Sequence, residues 1–280
     1  MTASDQQPGA ADASPSAATP TNGAEDELAV ELTGSERAAA EALFGAQLPL
    51  AEQYAWLLAT DGVLRGLIGP REAPRLWQRH LLNCAAVAER VPGGATVLDV
   101  GTGAGLPGLV LAVARPDLTV TLVDSMARRT AFLTEVVGAL DLGSRVRVVR
   151  ARAEECVGEL PLADVVLSRA VAQLDQLAAW CLPLTAVGGV VVAMKGDSAE
   201  SELETHREAV RGHGGGPPAI HRCGEGLLTQ PATVVEFVRE RVVTTVPSGP
   251  RRGRAESATQ ARVKGGEGRG RGAARRRPLR

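Results

Sequence analysis

The sequence predicts an α/β protein, a mostly parallel seven-stranded sheet preceded by a helical cap. Three observations carry that expectation. From residue 35 to about residue 90, apolar residues recur at three- and four-residue spacing, the period of helices that bury one face. From residue 95 onward, short β-branched runs alternate with helical patterns every 20 to 30 residues, as right-handed βαβ units require. The last two strand candidates are joined by a short loop and not by a helix, so they should end the sheet antiparallel.

The elements follow in order. Helical patterns run through SERAAAEALFGAQL, LAEQYAWLLATDGVL and PRLWQRHLLNCAAVAERV. Ser35 with Glu36 suits a helix start, and Pro74 opens a helix carrying Trp77, Leu81 and Leu82 on one face. After VPGG, ATVLDVG (95–101) is a short run with a glycine boundary, a buried strand. Residues 106–116 form a helix stopped at Pro116, and LTVTLVD (118–124) is the second strand. A helix over 126–142 leads to the third strand, RVRVVRA (145–151), and ADVVLS (163–168) is the fourth. A helix at 172–184 precedes the fifth, GGVVVAMKG (188–196). A helical stretch at 199–211 and the loop GHGGGPP lead to the final pair, around 219–223 and TVVEFVRE (233–240).

Composition bounds the rest. The chain has 280 residues and a net charge of −1, but the charge is unevenly spread. Residues 249–280 hold eleven Lys and Arg against two Glu, while the first 27 residues hold five acids and no Lys or Arg. Neither end has the apolar periodicity a core needs, so both read as disordered tails. The expected organisation is an acidic, Ala/Pro-rich tail at 1–34, a helical cap at 35–92, a cofactor-binding sheet domain at 93–246 and a basic Arg/Gly-rich tail at 247–280. No apolar run reaches the ~18 residues of a membrane span, and MTASDQQPG lacks a signal peptide's basic and apolar regions. A soluble cytoplasmic protein without membrane contact is expected. Cys84, Cys156, Cys181 and Cys223 are dispersed with no CxxC pair, which suits a reducing compartment better than disulfides or zinc. The four histidines show no i, i+4 pair, so no metal site is expected, and the absence of heptads suggests a monomer.

The strongest chemical signal is LDVGTGAGLPG, Leu98 to Gly108, at a strand-to-helix junction. Glycines there let the backbone turn tightly and let a ligand approach with no Cβ in the way. Two patterns coexist. Gly103-x-Gly105-x-x-Gly108, with Asp124 closing the second strand, matches the dinucleotide fingerprint. Asp99-x-Gly101-x-Gly103-x-Gly105 matches the S-adenosylmethionine (SAM) loop of methyltransferases. The acid before the glycines suits a cationic sulfonium and offers nothing to a pyrophosphate, so SAM is favoured over NAD. Asp124 would accept from ribose hydroxyls in either case. Glu154 and Glu155 follow the third strand, Ser168-Arg169-Ala170 ends the fourth and Lys195-Gly196 the fifth. Open α/β sheets build their sites at such carboxyl ends, although each residue taken singly is equally consistent with a solvated strand end.

RHLLN at 79–83, DVGTGAGLPG at 99–108, LVDS at 122–125, RAEE at 152–155, SRAVA at 168–172 and MKG at 194–196 occur in one order across about 45–240. Together these motifs resemble the bacterial 16S ribosomal RNA guanine-N7 methyltransferase family, also called glucose-inhibited division protein B. The resemblance implies a Rossmann-like methyltransferase fold, SAM as cofactor, and methylation of guanine N7 in the decoding-region loop of the small ribosomal subunit's RNA. It carries SAM contacts onto Gly101, Leu106, Ala153, Glu154 and Arg169. Asp99, Gly103 and Gly105 join them from the loop pattern, and Asp124 from its place in the fold. Cys84 stands where the family frequently has Ser, and the two tails are additions.

Guanine N7 offers an in-plane lone pair and carries no proton at neutral pH, so no general base and no catalytic acid–base residue is expected. Arg169, His80 and Lys195 are the positioning candidates. His80 and Arg79 either hold the base or phosphate, or simply end a helix. RNA phosphates would meet Arg71, Arg75 and Arg79 on one helical face if Pro74 does not break the run, then Arg128, Arg129, Lys195 and the basic tail. Only Lys195 and Lys264 are lysines, so the abundant arginine equally reflects a general compositional bias. Methylation of a small molecule or protein, or a non-catalytic ribosome-associated role, are the alternatives.

Overall fold

The computed structural model describes residues 32–169 and 172–243. The two expected tails lie almost wholly outside these residues, as do Ala170 and Val171.

Three α-helices come before the sheet: α1 (Gly34–Phe44), α2 (Leu48–Leu57) and the short α3 (Leu82–Ala86). α1 begins one residue before the expected Ser35. Thr33 precedes it, with the Thr33 backbone N–H and hydroxyl donating to the Glu36 carboxylate at 2.9 and 2.6 Å. The segment from Ala73 to Arg90 is not one regular helix. It runs as a 3-10 turn (Ala73–Arg75), a π-helical turn (Leu76–Leu81), α3 and a second 3-10 turn (Val87–Arg90). Pro74 opens it as expected, because its fixed φ and missing N–H suit a first turn. Trp77, Leu81 and Leu82 are all buried, with Trp77 edge-on to Phe44 at 6.2 Å between ring centres. The expected common face for Arg71, Arg75 and Arg79 is not formed. They occupy a turn, a 3-10 turn and a π turn, and a changing number of residues per turn takes i, i+4 and i+8 out of line.

The strands are β1 (Thr96–Val100), β2 (Thr119–Asp124), β3 (Val146–Arg150), β4 (Ala163–Arg169), β5 (Thr185–Lys195), β6 (Ala219–Cys223) and β7 (Ala232–Val238). Their spatial order is β3-β2-β1-β4-β5-β7-β6. β1 to β5 pair in parallel, and β7 runs antiparallel to both β5 and β6. The mostly parallel seven-stranded sheet is thus present. β5 starts three residues earlier than its glycines suggested. Gly188, at φ +85°, and Gly189 lie inside the strand, where β4–β5 pairing shifts register. A Cβ on Gly189 would stand 2.7 Å from the Asp164 carbonyl oxygen, so the glycines mark an irregularity and not an end.

Helices α4 (Gly108–Ala114) and α5 (Ala127–Ala139) cover one face of the sheet together with the first three helices. α6 (Leu174–Cys181) and α7 (Ala199–Gly212) cover the other. With both faces covered, the central strands read as unbroken apolar runs. Because β1 leads to β2 and β3 on one side while β4 and β5 lie on the other, strand order reverses between β1 and β4. Ligands of open α/β sheets bind at the carboxyl ends beside that switch point. All four cysteines are buried and unbridged. Among the described residues, no helix is long and apolar enough to cross a membrane.

Candidate functional site: two clefts at the carboxyl edge

Two clefts open along this edge. The smaller, about 320 Å³, lies at the ends of β1, β2 and β3, and is lined by Gly101, Asp124, Arg129, Ala153, Glu154 and Trp180 among others. Its volume falls at the lower end of the ~300–1,000 Å³ typical of small-molecule sites. Gly101 and Gly103 adopt φ of +72° and +61°, the left-handed region that glycine enters without strain. The Gly101 and Thr102 N–H groups both donate to the Val123 carbonyl, at 2.9 and 3.1 Å, tying the loop to the end of β2. Asp124 ends that strand almost wholly buried. Its Oδ2 accepts from the Gly103 N–H and from Arg129, both at 3.1 Å, and its Oδ1 accepts from the Met126 N–H at 2.9 Å.

Asp99 is placed differently. It is fully buried beneath the loop and does not line the cleft; its Oδ2 accepts from the Gly108 N–H at 2.8 Å. Burial pushes its carboxyl up to about 6, against the pull of the Thr102 hydroxyl and the Gly108 amide. Gly105, at φ +98°, also faces inward, where a Cβ would meet the Tyr54 hydroxyl at 2.5 Å. That hydroxyl, carried by α2, donates to the Ala104 carbonyl at 2.5 Å, and burial raises its pKa, so it remains a donor. Leu106 is buried among core residues. Of the nine expected cofactor residues, Gly101, Asp124, Ala153 and Glu154 line the smaller cleft. Asp99, Gly103, Gly105 and Leu106 shape the loop behind it.

The ninth, Arg169, lines the larger cleft of about 1110 Å³, with His80 and Lys195. All three positioning candidates therefore share one wall-to-wall space. Arg169 follows Ser168, which pairs with Val100 in the register of β1 and β4, so Arg169 and Gly101 emerge side by side from adjacent strands. The Arg169 guanidinium donates to His80 Nδ1 at 2.6 Å and more weakly to the Arg79 carbonyl and Cys84 Sγ, both at 3.4 Å. A guanidinium only donates, so Nδ1 must present its lone pair and the ring proton must sit on Nε2. Burial and the Arg169 charge lower the His80 pKa, in keeping with a neutral ring. Cys84 stays a thiol, pushed up to about 11 by burial.

Two expected RNA contacts are corrected. Lys195 lines the cleft but its ammonium is buried, donating to the Ala172 carbonyl at 2.7 Å and to Glu202 at 2.6 Å. Its charge is neutralised by α7 and is not offered to a phosphate. Arg129 pairs with Asp124 at the smaller cleft, while Arg128 is exposed. Arg79 does line the larger cleft, together with Arg222, which the sequence did not single out, and Arg75 and Arg79 share an adjoining hollow with Gln78 and Gln230. The sequence reading missed Trp180, whose helix reads as ordinary core, and Glu72 and Gln230, which loops bring into place. Among the described residues, no group of three or more His, Cys, Asp or Glu side chains is arranged to hold a metal ion.

Residues 47–231 match the family model described as GidB, rRNA small subunit methyltransferase G. A ribosomal RNA small subunit methyltransferase G from Salinispora tropica is 63% identical over 218 residues, covering 76% of this chain and 89% of that protein. The Thermobifida fusca protein of the same name is 53% identical over 211 residues, 75% of this chain and 87% of its own length. That of Corynebacterium glutamicum is 49% identical over 205 residues, 72% and 92%.

Proposed function

The chain belongs to the rRNA small subunit methyltransferase G family, and on that premise we propose that it transfers the methyl group of SAM to N7 of a guanine in 16S ribosomal RNA. The observation that carries this reading is the pairing of a cofactor-sized cleft with a larger one across the β1–β4 switch point. The enzyme is a methyltransferase, and the smaller cleft fits its cofactor. Gly101 and Asp124 line it together, and Trp180 and Ala153 give it apolar walls.

The bound cofactor supplies an electrophilic methyl group. The chain supplies placement. Asp124 accepts from ribose hydroxyls, with Arg129 and two backbone amides already fixing its orientation. Trp180 and Ala153 flank the adenine. Arg169, at the border of the two clefts, has donors left beyond its three described partners, and these hold an anionic phosphate of the RNA. Guanine N7 needs no deprotonation, so no side chain acts as a base. Holding the two reactants in attack geometry supplies roughly 7–11 kcal/mol of the barrier reduction. The volume of the larger cleft and the arginines around it, Arg79, Arg169 and Arg222, favour an RNA acceptor over a small molecule.

Incubation with labelled SAM and small ribosomal subunits from a strain lacking this protein tests the reading. Label recovered as N7-methylguanosine supports it. Tight SAM binding without RNA labelling would leave the fold and cofactor but remove the substrate.

A further inference from the structure

One carboxylate in the larger cleft has no task in that scheme. Glu72 lies in the turn before Pro74, partly buried, and divides its two oxygens between two partners. Oε2 stands 3.1 Å from His80 Nε2, and Oε1 is 3.6 Å from Arg79. On the far side of the imidazole, Nδ1 receives the Arg169 guanidinium at 2.6 Å. A carboxylate, an imidazole and a guanidinium thus form one chain, drawn from a turn, a π-helical turn and the end of β4. The polarity of this chain admits one arrangement. Arg169 donates at Nδ1, so the ring proton is on Nε2 and points at a carboxylate that only accepts.

We propose that Glu72 is a positioning residue for methyl transfer: it accepts the His80 Nε2–H, holds the imidazole in the tautomer whose Nδ1 accepts from Arg169, and so fixes the guanidinium at the border of the two clefts. This rests on the assignment of the larger cleft to RNA. In the opposite tautomer, or in the imidazolium, an N–H at Nδ1 would face an N–H of Arg169 and drive the guanidinium away. The π-helical turn makes the contact possible by directing His80 between the two elements, a common use of such turns at functional sites.

The charged groups facing His80 are Glu72, Arg79 and Arg169. Arg169, Arg79 and burial disfavour its protonation, whereas Glu72 favours it. Loss of the Glu72 charge therefore moves protonation of His80 to still lower pH, and the acid limb of activity should move with it.

The experiment measures methyl transfer to small subunits for the wild type, Glu72→Ala, Glu72→Gln, Arg169→Ala and the Glu72→Ala/Arg169→Ala pair, with SAM affinity and melting temperature as controls. Glu72→Ala should lose about ten- to a hundredfold in kcat/KM, the worth of a charge-assisted hydrogen bond, with SAM affinity unchanged. Glu72→Gln keeps an acceptor oxygen, so it should retain most activity while its acid limb moves to lower pH. In the Arg169→Ala background, Glu72→Ala should cost nothing further. A full additional loss in that background, an unmoved acid limb in Glu72→Gln, or a wild-type rate in Glu72→Ala would each overturn the positioning role. A wild-type rate in Arg169→Ala would instead remove the functional reading of the larger cleft itself.

Discussion

Asp99 and Gly108 hold each other in place: the Gly108 N–H donates to Asp99 Oδ2 at 2.8 Å, and the two residues pack so closely that no side chain fits on the glycine. The loop at the smaller cleft is braced from beneath by this contact, and from the helical side by Tyr54 on the Ala104 carbonyl. The binding surface is therefore a product of buried packing, and its weak points are set by which glycines face inward.

Gly108→Ala should be destabilising. A Cβ there would lie 2.6 Å from Asp99 Cβ and 2.7 Å from Leu122 Cδ2, both in the core. Overpacking of this kind costs about 1–3 kcal/mol, and the close contacts on both sides put this site in the upper part of that range. At Gly103 a Cβ has nothing nearer than 3.9 Å, so Gly103→Ala carries only the left-handed backbone strain of its φ of +61°, about 1–2 kcal/mol. Denaturant melts of the two variants should rank Gly108→Ala as the less stable; the reverse order would contradict the packing described.

Asp99 should make stability fall with rising pH. Its carboxyl is raised to about 6 in the folded state by burial. Unfolded, it titrates near ~3.9. Between those values the native state binds more protons, so this group's contribution is fully present below about pH 4 and lost as pH rises through about 6. Asp99→Asn still accepts from the Gly108 amide and does not titrate. The variant should gain on the order of 1–3 kcal/mol over the wild type at pH 8 relative to their difference at pH 4. Equal differences at the two pH values would show that Asp99 is not carrying a buried charge.

Trp180→Ala should weaken SAM binding by about tenfold or more, since a large apolar side chain contributes ~1.5–3 kcal/mol when covered by a ligand. Calorimetric titration of the variant reads this directly. Unaltered affinity would mean that the adenine does not lie against α6.

Arg169→Lys should fail to restore the activity lost in Arg169→Ala. The fork reaches His80 Nδ1, the Arg79 carbonyl and Cys84 Sγ at once, and a single ammonium cannot reproduce that geometry while meeting a phosphate. Comparable turnover in the Lys variant would reduce Arg169 to a point charge.

The parts of the site legible in the sequence are those fixed locally by strand ends. β1 with its glycines, Asp124 closing β2 and Ala153-Glu154 after β3 each follow from a short run and its boundary, and the fold brings them to one cleft. What escaped depends on contacts between distant or irregular segments. Glu72 meets His80 eight residues later across a 3-10 and a π turn, a spacing that no regular helix displays. The burial of Lys195 depends on Glu202 of α7, so the sequence shows a free cation where the structure has an ion pair. Trp180 sits on a helix whose apolar face reads as core, and only the cleft itself, where it stands with Gly101 and Ala153 from the ends of two distant segments, reveals its edge. The glycines of β5 looked like punctuation because a strand irregularity and a strand end use the same residue.

The most direct test of the central claim is chemical mapping of the methyl group. Small subunits from a strain lacking this protein, incubated with SAM and the enzyme, would have their 16S RNA treated with borohydride and aniline, which cleaves the chain at N7-methylguanosine. One new scission at a single guanine, dependent on SAM and strongly reduced by Arg169→Ala, is the predicted result. Methyl label in the RNA without that scission would contradict the assignment of N7.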